Sequence, residues 1–109
     1  MGSVKIKVID NSSIFFGYSN VAIARALEAI GLTAEGYAKL RCPVHTGRLR
    51  SSITHAVDDK TAFIGTNVEY AAYVEMGTVK TKAQPYLRPA VAGHADVYKR
   101  IALNALKLG

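Results

Sequence analysis

Residues 19–43 read SNVAIARALEAIGLTAEGYAKLRCP and carry the clearest structural pattern of the chain. The apolar side chains that recur at the three- and four-residue spacing of an amphipathic helix are Ile23, Ala24, Leu27, Ile30, Ala34 and Ala38. Ser19 or Asn20 can cap the start, and Cys42-Pro43 ends the pattern. This spacing predicts a helix over about residues 20–40, and its many alanines allow another element to approach closely.

Short strands are predicted on both sides of this helix. Residues 4–9 alternate between apolar and polar types, which places Val4, Ile6 and Val8 on one face of a half-buried strand. Residues 49–57 and 61–66 are interpreted as two further strands, joined by a hairpin turn at residues 58–60. The sheet is therefore expected to be small and mostly antiparallel.

The last forty residues predict helices separated by a loop. Residues 70–76 match helical spacing better than strict alternation and predict a short helix or turn, whereas residues 77–84 are polar and basic and predict a mobile loop. Residues 85–89 are predicted not to be regular helix, and Pro89 is expected at the first position of a terminal helix. The apolar face of that helix is predicted to be Val91, Ala95, Tyr98, Ile101, Ala102, Ala105 and Leu108.

These elements predict an α+β fold, with a small, mostly antiparallel sheet packed against a long helix and a C-terminal helix. The chain has 109 residues, of which 50% are hydrophobic and 20% charged, so we expect a single domain over residues 1–109 and exclude intrinsic disorder. One cysteine excludes an intramolecular disulfide. No secretory signal or membrane span is readable, so we expect a soluble protein made in the cytoplasm.

Motifs that would carry catalysis are weak in this sequence. Cys42 and His45 have C-x-x-H spacing, but a zinc site needs about four ligands and no other paired ligands follow. A nucleophilic Cys–His pair would also need an orienting group, which nothing in the sequence marks. We therefore predict no catalytic residue, no metal site and no cofactor.

The net charge of +6 permits a polyanionic partner without naming one. Arg48, Arg50, Lys80 and Lys82 form a small basic set that lacks the dense stripe of a dedicated nucleic-acid binder. Weak, salt-sensitive contact with a nucleic-acid backbone remains open.

Three ordered segments concentrate turn-forming residues, aromatics and proline: PVHTGRLRSSI at residues 43–53, GTNVEYAAYVEMGT at 65–78 and QPYLRPA at 84–90. In these motifs and their order the chain resembles the small tail-component proteins of tailed phages and prophages typified by gene product 10 of phage HK97. The candidate interaction residues in these motifs are Thr46, Gly47, Arg48, Leu49, Tyr70, Tyr73, Glu75, Gly77, Thr78, Gln84, Pro85, Tyr86, Leu87, Arg88 and Pro89.

The resemblance implies a non-enzymatic virion morphogenesis protein, a neck or tail-completion subunit at the head–tail junction. It implies connector, terminator and tail-tube proteins as partners and a homo-oligomeric ring such as a hexamer. In such a ring the charge of +6 predicts non-specific DNA contact in the lumen, and the short apolar stretches predict no membrane partner. The expected location is the virion, and the bacterial host cytoplasm during assembly. Two alternatives stay open: a tail terminator that caps the tail tube, and a small basic nucleic-acid-binding domain. An enzyme based on Cys42 and His45 ranks third.

Overall fold

The computed structural model of the chain describes residues 4–10, 13–43, 47–58 and 60–107. Three strands form one antiparallel sheet in the order β1-β3-β2: β1 (Val4–Asp10), β2 (Thr54–Asp58) and β3 (Thr61–Thr66). The α-helices within the described ranges are α1 (Asn20–Arg41), α2 (Arg48–Ser52), α3 (Ala71–Met76), α4 (Leu87–Ala92) and α5 (Ala95–Lys107). A single 3-10 turn, Ser13–Phe15, precedes α1. The predicted α+β class is confirmed.

Helix α1 packs against all three strands of the sheet and against α4 and α5. It begins as predicted, because the Ser19 hydroxyl oxygen accepts a hydrogen bond of 3.1 Å from the amide of Ala22. It ends where Cys42 turns to an extended conformation before Pro43. One long face of α1 is buried against the sheet, α4 and α5. Ala24, predicted on that face, is instead exposed.

Strand β1 contains a register shift that simple alternation could not predict. Val4 pairs with Thr66 and Ile6 with Ile64, but a shift between Lys7 and Ile9 places Ile9 opposite Ala62. Ile9 therefore takes the register position that the sequence pattern assigned to Val8, as a β-bulge requires. The hairpin of β2 and β3 is confirmed by the pairing of Asp58 with Thr61, while Asp59 lies outside the described residues.

The predicted strand over residues 49–57 is wrong in its first half, because residues 48–52 form α2. Leu49 and Ile53 are both buried, and their separation of four residues suits a helical turn as well as a strand. Gly47, at φ +82°, turns the chain into this helix. The Ser52 hydroxyl then donates a hydrogen bond of 2.6 Å to the carbonyl oxygen of Leu49.

The predicted start of the terminal helix at Pro89 is also wrong, since α4 already begins at Leu87. Pro89 lies in the first turn of α4, where a backbone amide has no intrahelical acceptor, so the missing N–H costs no hydrogen bond. The expectation that residues 85–89 contain no regular helix therefore fails at their C-terminal end.

The terminal helix is divided rather than continuous, because Gly93 and His94 separate α4 from α5. The His94 ring stacks on Tyr37 of α1 with ring centroids 3.6 Å apart. Across the division, the buried Tyr98 hydroxyl donates a hydrogen bond to the carbonyl oxygen of Ala90, and burial raises the pKa of Tyr98 to about 12. Leu108, predicted on the apolar face, lies outside the described residues.

Candidate interaction surface

The Cys42 thiol is buried at the end of α1. Burial raises its pKa, although the charge of Arg50 acts in the opposite direction, so the nucleophilic thiolate is scarce near neutral pH. His45, its sequence partner, lies outside the described residues. Across the described ranges, no group of three or more histidine, cysteine, aspartate and glutamate side chains could hold a metal ion.

Glu75 is a buried carboxylate, only 6% exposed, at the end of α3. One of its oxygens, Oε1, accepts the backbone amides of Tyr86 at 2.9 Å and Leu87 at 2.8 Å. The other oxygen, Oε2, accepts the amide of Arg88 at 3.0 Å. These amides belong to the start of α4, whose N-terminus attracts negative charge. Glu75 therefore caps a helix that begins twelve residues later in the chain.

Tyr86 and Leu87 are fully buried beside this carboxylate. The Tyr86 hydroxyl donates a hydrogen bond of 3.1 Å to the carbonyl oxygen of Ala71, at the first residue of α3. Burial raises the pKa of Tyr86, so the hydroxyl stays a donor. Two of the predicted interaction residues are thus core residues that join α3 to α4. The side chains of Pro85 and Arg88 are exposed and Pro89 is half-buried.

Gly77 turns the chain directly after α3, at φ +78° and ψ 175°. This region of backbone conformation is open almost only to glycine. A Cβ atom at this position would lie 2.7 Å from the backbone nitrogen of Ala83. A glycine is therefore required here both by the backbone angles and by the close approach of residues 81–83.

The loop after Gly77 is closed by its own hydrogen bonds. The Thr78 amide donates to the carbonyl oxygen of Thr81 at 2.8 Å, and the Thr78 hydroxyl oxygen accepts the amides of Lys80 and Thr81 at 3.2 and 3.0 Å. The amide of Gln84 donates to the carbonyl oxygen of Val74 at 2.8 Å. These hydrogen bonds hold the loop at its base and across its turn. The mobility that the sequence predicts for the loop stays a prediction.

Apolar side chains point outward from the same segment. Tyr73 and Met76, three residues apart on α3, are 62% and 61% exposed, and Val79 in the following turn is fully exposed. Lys80 and Lys82 follow, and both are exposed. We call these five residues, Tyr73, Met76, Val79, Lys80 and Lys82, the 73–82 surface.

A cleft of about 490 Å³ separates this loop from α2. Its apolar walls include Pro43, Leu49, Tyr70 and Val74, and Gly47, Gln84 and Lys82 also line it. Of the predicted interaction residues, the cleft brings together Gly47, Arg48, Leu49, Tyr70 and Gln84, whereas Tyr73, Glu75, Gly77 and Thr78 do not line it. Thr46 lies outside the described residues.

Arg48 lies at the rim of this cleft in an exposed ion pair with Glu69. Its two terminal nitrogens donate to the two carboxylate oxygens at 3.1 and 3.0 Å. The Arg48 guanidinium also lies 5.5 Å from the centre of the Tyr70 ring. The hydrogen bonds from Arg48 lower the pKa of Glu69. Arg48, one of the four residues of the basic set, is thus already neutralised within the chain.

A second exposed apolar region lies on α1. Leu32 and Leu40 are both exposed, and Gly36 lies between them one helical turn from each. A Cβ atom on Gly36 would meet no other atom within 4 Å, so packing inside the chain does not require a glycine at this position.

A charged cluster that the sequence analysis missed joins α1 to β2. His55 on β2 lies between two carboxylates of α1, with Nδ1 2.7 Å from Glu35 and Nε2 2.6 Å from Glu28. Lys39 donates to Glu35 at 3.0 Å. We call these four residues the His55 cluster. The signal in the sequence was the pair of carboxylates seven residues apart on one helix, with Gly31 between them leaving room for the imidazole.

Comparison with known proteins identifies a family. The family model described as "Bacteriophage HK97-gp10, putative tail-component" matches residues 19–77, which is more than half of the chain. The matched range runs from the cap of α1 through the sheet to Gly77 and includes Glu75 and the His55 cluster. No curated protein and no solved structure matches the chain.

Proposed function

This chain belongs to the HK97-gp10-like family of phage tail components, and on that premise we propose that it is a non-catalytic neck or tail-completion subunit at the head–tail junction. The observation that supports assembly is the exposed apolar area on two separate elements. Leu32 and Leu40 project from α1, whereas Tyr73, Met76 and Val79 project from α3 and the turn after it. Exposed apolar side chains do not stabilise an isolated subunit. When neighbouring molecules cover them, the burial of this apolar area stabilises the assembly.

Two different contact surfaces on one subunit suit a ring. When one surface of a subunit meets a different surface of the next, the contacts are heterologous and close if the rotation allows. We propose a closed ring of identical subunits that matches the sixfold symmetry of the tail. The elongated shape, 49 × 25 × 21 Å along its principal axes, lets one subunit reach neighbours on opposite sides.

The charge of the chain suits a place near DNA without specific recognition. The net charge is +6, and Arg41, Arg50, Lys80 and Lys82 are exposed on different elements rather than in one stripe. A ring of such subunits tolerates a polyanion in its lumen through weak, salt-sensitive contacts. None of the helices in the described ranges is long and apolar enough to cross a bilayer.

Deletion of the gene from the phage or prophage that encodes the chain tests this proposal. Electron microscopy of the resulting particles should show complete heads and complete tails that are not joined. Overlong tails would instead assign the chain to the tail terminator. Particles that are joined, of normal tail length and infectious would refute both roles.

Native mass spectrometry tests the ring separately. The purified chain should form a closed oligomer, with six as the expected number, either alone or when the tail-tube protein of the same phage is added. A monomer under both conditions would contradict ring assembly.

A further inference from the structure

We propose that the 73–82 surface binds the outer face of α1 in a second copy of this chain, and that this pairing is the repeating contact of the ring. The inference rests on the proposed function, which it deepens by assigning each of the two surfaces its occupant. Three features support it: the shapes of the two surfaces, their charges, and the presence of both on one chain.

The outer face of α1 carries an apolar notch that packing within the chain does not explain. Leu32 and Leu40 are 58% and 75% exposed, and Gly36 lies midway between them, about 6 Å along the helix from each. A glycine inside a helix is less stable than an alanine, and a Cβ atom on Gly36 would meet no other atom within 4 Å. The glycine therefore leaves a space between two leucines that is open to a neighbouring molecule.

The turn after α3 provides a protrusion that suits this notch. Val79 is fully exposed in the turn, and Tyr73 and Met76 are exposed on the helix before it. The Thr78 hydroxyl oxygen accepts two backbone amides and closes the turn that carries Val79. A turn ordered in this way loses little conformational entropy on binding, which favours affinity. In the proposed contact, Val79 lies over Gly36 of the second copy.

The outer face of α1 adds a carboxylate to its apolar area. Glu28 lies one helical turn before Leu32, and its side chain is 63% exposed although His55 contacts its Oε2 oxygen. Lys39, near the end of the same helix, is paired with Glu35. Glu28 is therefore placed to meet positive charge on a neighbouring molecule.

The 73–82 surface supplies that positive charge. Lys80 and Lys82 follow Val79, and neither lysine side chain forms an ion pair or hydrogen bond with any residue that the structure describes. When Val79 lies over Gly36, Glu28 is about 12 Å further along α1, a distance that extended lysine and glutamate side chains can bridge. The contact therefore joins ammonium groups to a carboxylate beside matching apolar areas.

Every copy of the chain carries both surfaces, and within one chain they do not cover each other, since Leu32, Leu40, Tyr73 and Val79 are all exposed. A contact between two 73–82 surfaces would place lysines against lysines, whereas α1 of a second copy offers Glu28 beside leucines. A contact between unlike surfaces of identical subunits repeats from each subunit to the next and closes into a ring when the rotation allows. The second copy is therefore the occupant that also accounts for a ring.

Charge exchange tests the pairing under the condition in which the unchanged chain assembles. Glu28→Lys alone, or Lys80→Glu/Lys82→Glu alone, should raise the subunit concentration at half assembly at least tenfold in analytical ultracentrifugation. The combination of all three substitutions should return it to within threefold of the unchanged chain, because the charges are then exchanged across the contact. Failure of the combination to restore assembly would overturn the pairing.

A control on α5 separates this contact from net charge. The double variant Lys99→Glu/Arg100→Glu reverses two exposed cations, as the lysine double variant does, and should assemble within twofold of the unchanged chain. Assembly weakened equally by this control would show that net charge, and not the proposed contact, determines the result.

Bulk at the notch tests shape independently of charge. Gly36→Phe should raise the concentration at half assembly at least tenfold, and its circular dichroism should match the unchanged chain because Gly36 faces open space. Asn104→Phe, at an exposed position of α5, is the matched control and should assemble within twofold of the unchanged chain. Normal assembly of Gly36→Phe would overturn the inference.

A crosslink identifies the occupant directly. A photo-crosslinking amino acid at position 79 should capture, in purified virions, the segment of a second copy that contains Leu32 and Gly36. Capture of a different virion protein, or of another segment of a second copy, would overturn the inference. Failure of the ring itself has another signature, because the unchanged chain would then stay monomeric with and without the tail-tube protein.

Discussion

Two carboxylates of this fold, Glu75 and Glu35, form similar numbers of hydrogen bonds in different surroundings. Glu75 is buried and binds only backbone amides, from a segment 11 to 13 residues further along the chain. Glu35 binds the side chains of His55 and Lys39 and, through His55, joins α1 to β2. The amides are neutral dipoles that do not titrate, whereas the imidazole changes charge near neutrality. The start of α4 is therefore joined to α3 through donors that do not titrate, and α1 is joined to the edge strand β2 through a donor that does.

Removing Glu75 should produce the largest effect. The substitution Glu75→Ala leaves the amides of Tyr86, Leu87 and Arg88 without their acceptor. Hydrogen bonds to a charged group contribute about 1.5–3 kcal/mol each and are not additive, so we expect the free energy of unfolding to fall by about 3–4 kcal/mol. Urea unfolding measures this change.

Glu75→Gln is the matched variant, since it keeps an acceptor oxygen and loses the charge. Its urea midpoint should lie between those of Glu75→Ala and the unchanged chain. If Glu75→Ala unfolds at the same urea concentration as the unchanged chain, the amides bind other acceptors and the carboxylate does not stabilise this segment.

A methyl group at Gly77 should have the next largest effect. Gly77→Ala forces a Cβ atom into an almost glycine-only conformation and to within 2.7 Å of the Ala83 nitrogen. We expect a loss of about 2–3 kcal/mol. Gly36→Ala is the matched control, because Gly36 lies in open space within α1, and alanine there should raise stability by about 1 kcal/mol. Equal effects of the two substitutions in thermal unfolding would refute the special geometry of Gly77.

The two carboxylates also differ in how far sequence reasoning could reach them. The spacing of Glu28 and Glu35 was visible on the predicted helix, but His55 lies 27 residues from Glu28 and 20 from Glu35 and meets them only through packing. Glu75 was selected by a family motif as an interaction residue. Its partners are instead amides at the start of α4, a helix start that the local sequence pattern had predicted two residues later. A cap supplied from another helix leaves no local signal, so the start of α4 could not be predicted at Pro89.

The elements themselves were predictable where one periodicity dominated. Helix α1, with its long run of three- and four-residue spacing, and strand β3, with an apolar run that follows the predicted hairpin turn, lie within a residue of their predicted ends. Helix α2 was missed because Leu49 and Ile53 satisfy both periods, and the shift in β1 because a bulge adds one residue to an alternation that otherwise continues. Local patterns thus predicted the framework but not the contacts that hold its ends.

The His55 cluster should make stability depend on pH, by a smaller amount. Partial burial by itself lowers the pKa of His55, but hydrogen bonds to Glu28 and Glu35 and their charges outweigh burial and raise the pKa above its ordinary value of 6.5. A raised pKa in the folded state means that the imidazolium contribution is complete below about pH 6.5 and is lost as the pH rises through the folded value. We therefore expect the free energy of unfolding to fall as the pH rises above about 6.5.

The contribution of Glu35 to stability has the opposite pH dependence, because it is lost as the pH falls. Burial raises its pKa, but hydrogen bonds from His55 and Lys39 outweigh burial and hold the pKa below its ordinary value of 4.5, so this contribution disappears as the pH falls below about 4.5. The cluster should contribute most between these two values. In His55→Gln, urea midpoints measured across the range should lose the decline above pH 6.5. A decline of the same size in the variant would assign it to other groups.

The smallest effect is expected at Glu69. Because this carboxylate is hydrogen-bonded but exposed, its substitution tests whether burial or charge explains the different behaviour of the carboxylates. Glu69 accepts two hydrogen bonds from Arg48, at 3.1 and 3.0 Å, in a bidentate pair. Both side chains are more than half exposed, at 67% and 57%, so water replaces the lost partner when one is removed. We expect the urea midpoint of Glu69→Gln to stay within the scatter of replicates at 150 mM salt. A fall close to that of Glu75→Gln would show that charged hydrogen bonds stabilise this fold whether or not they are buried, and burial would then not explain the difference between the two kinds of carboxylate.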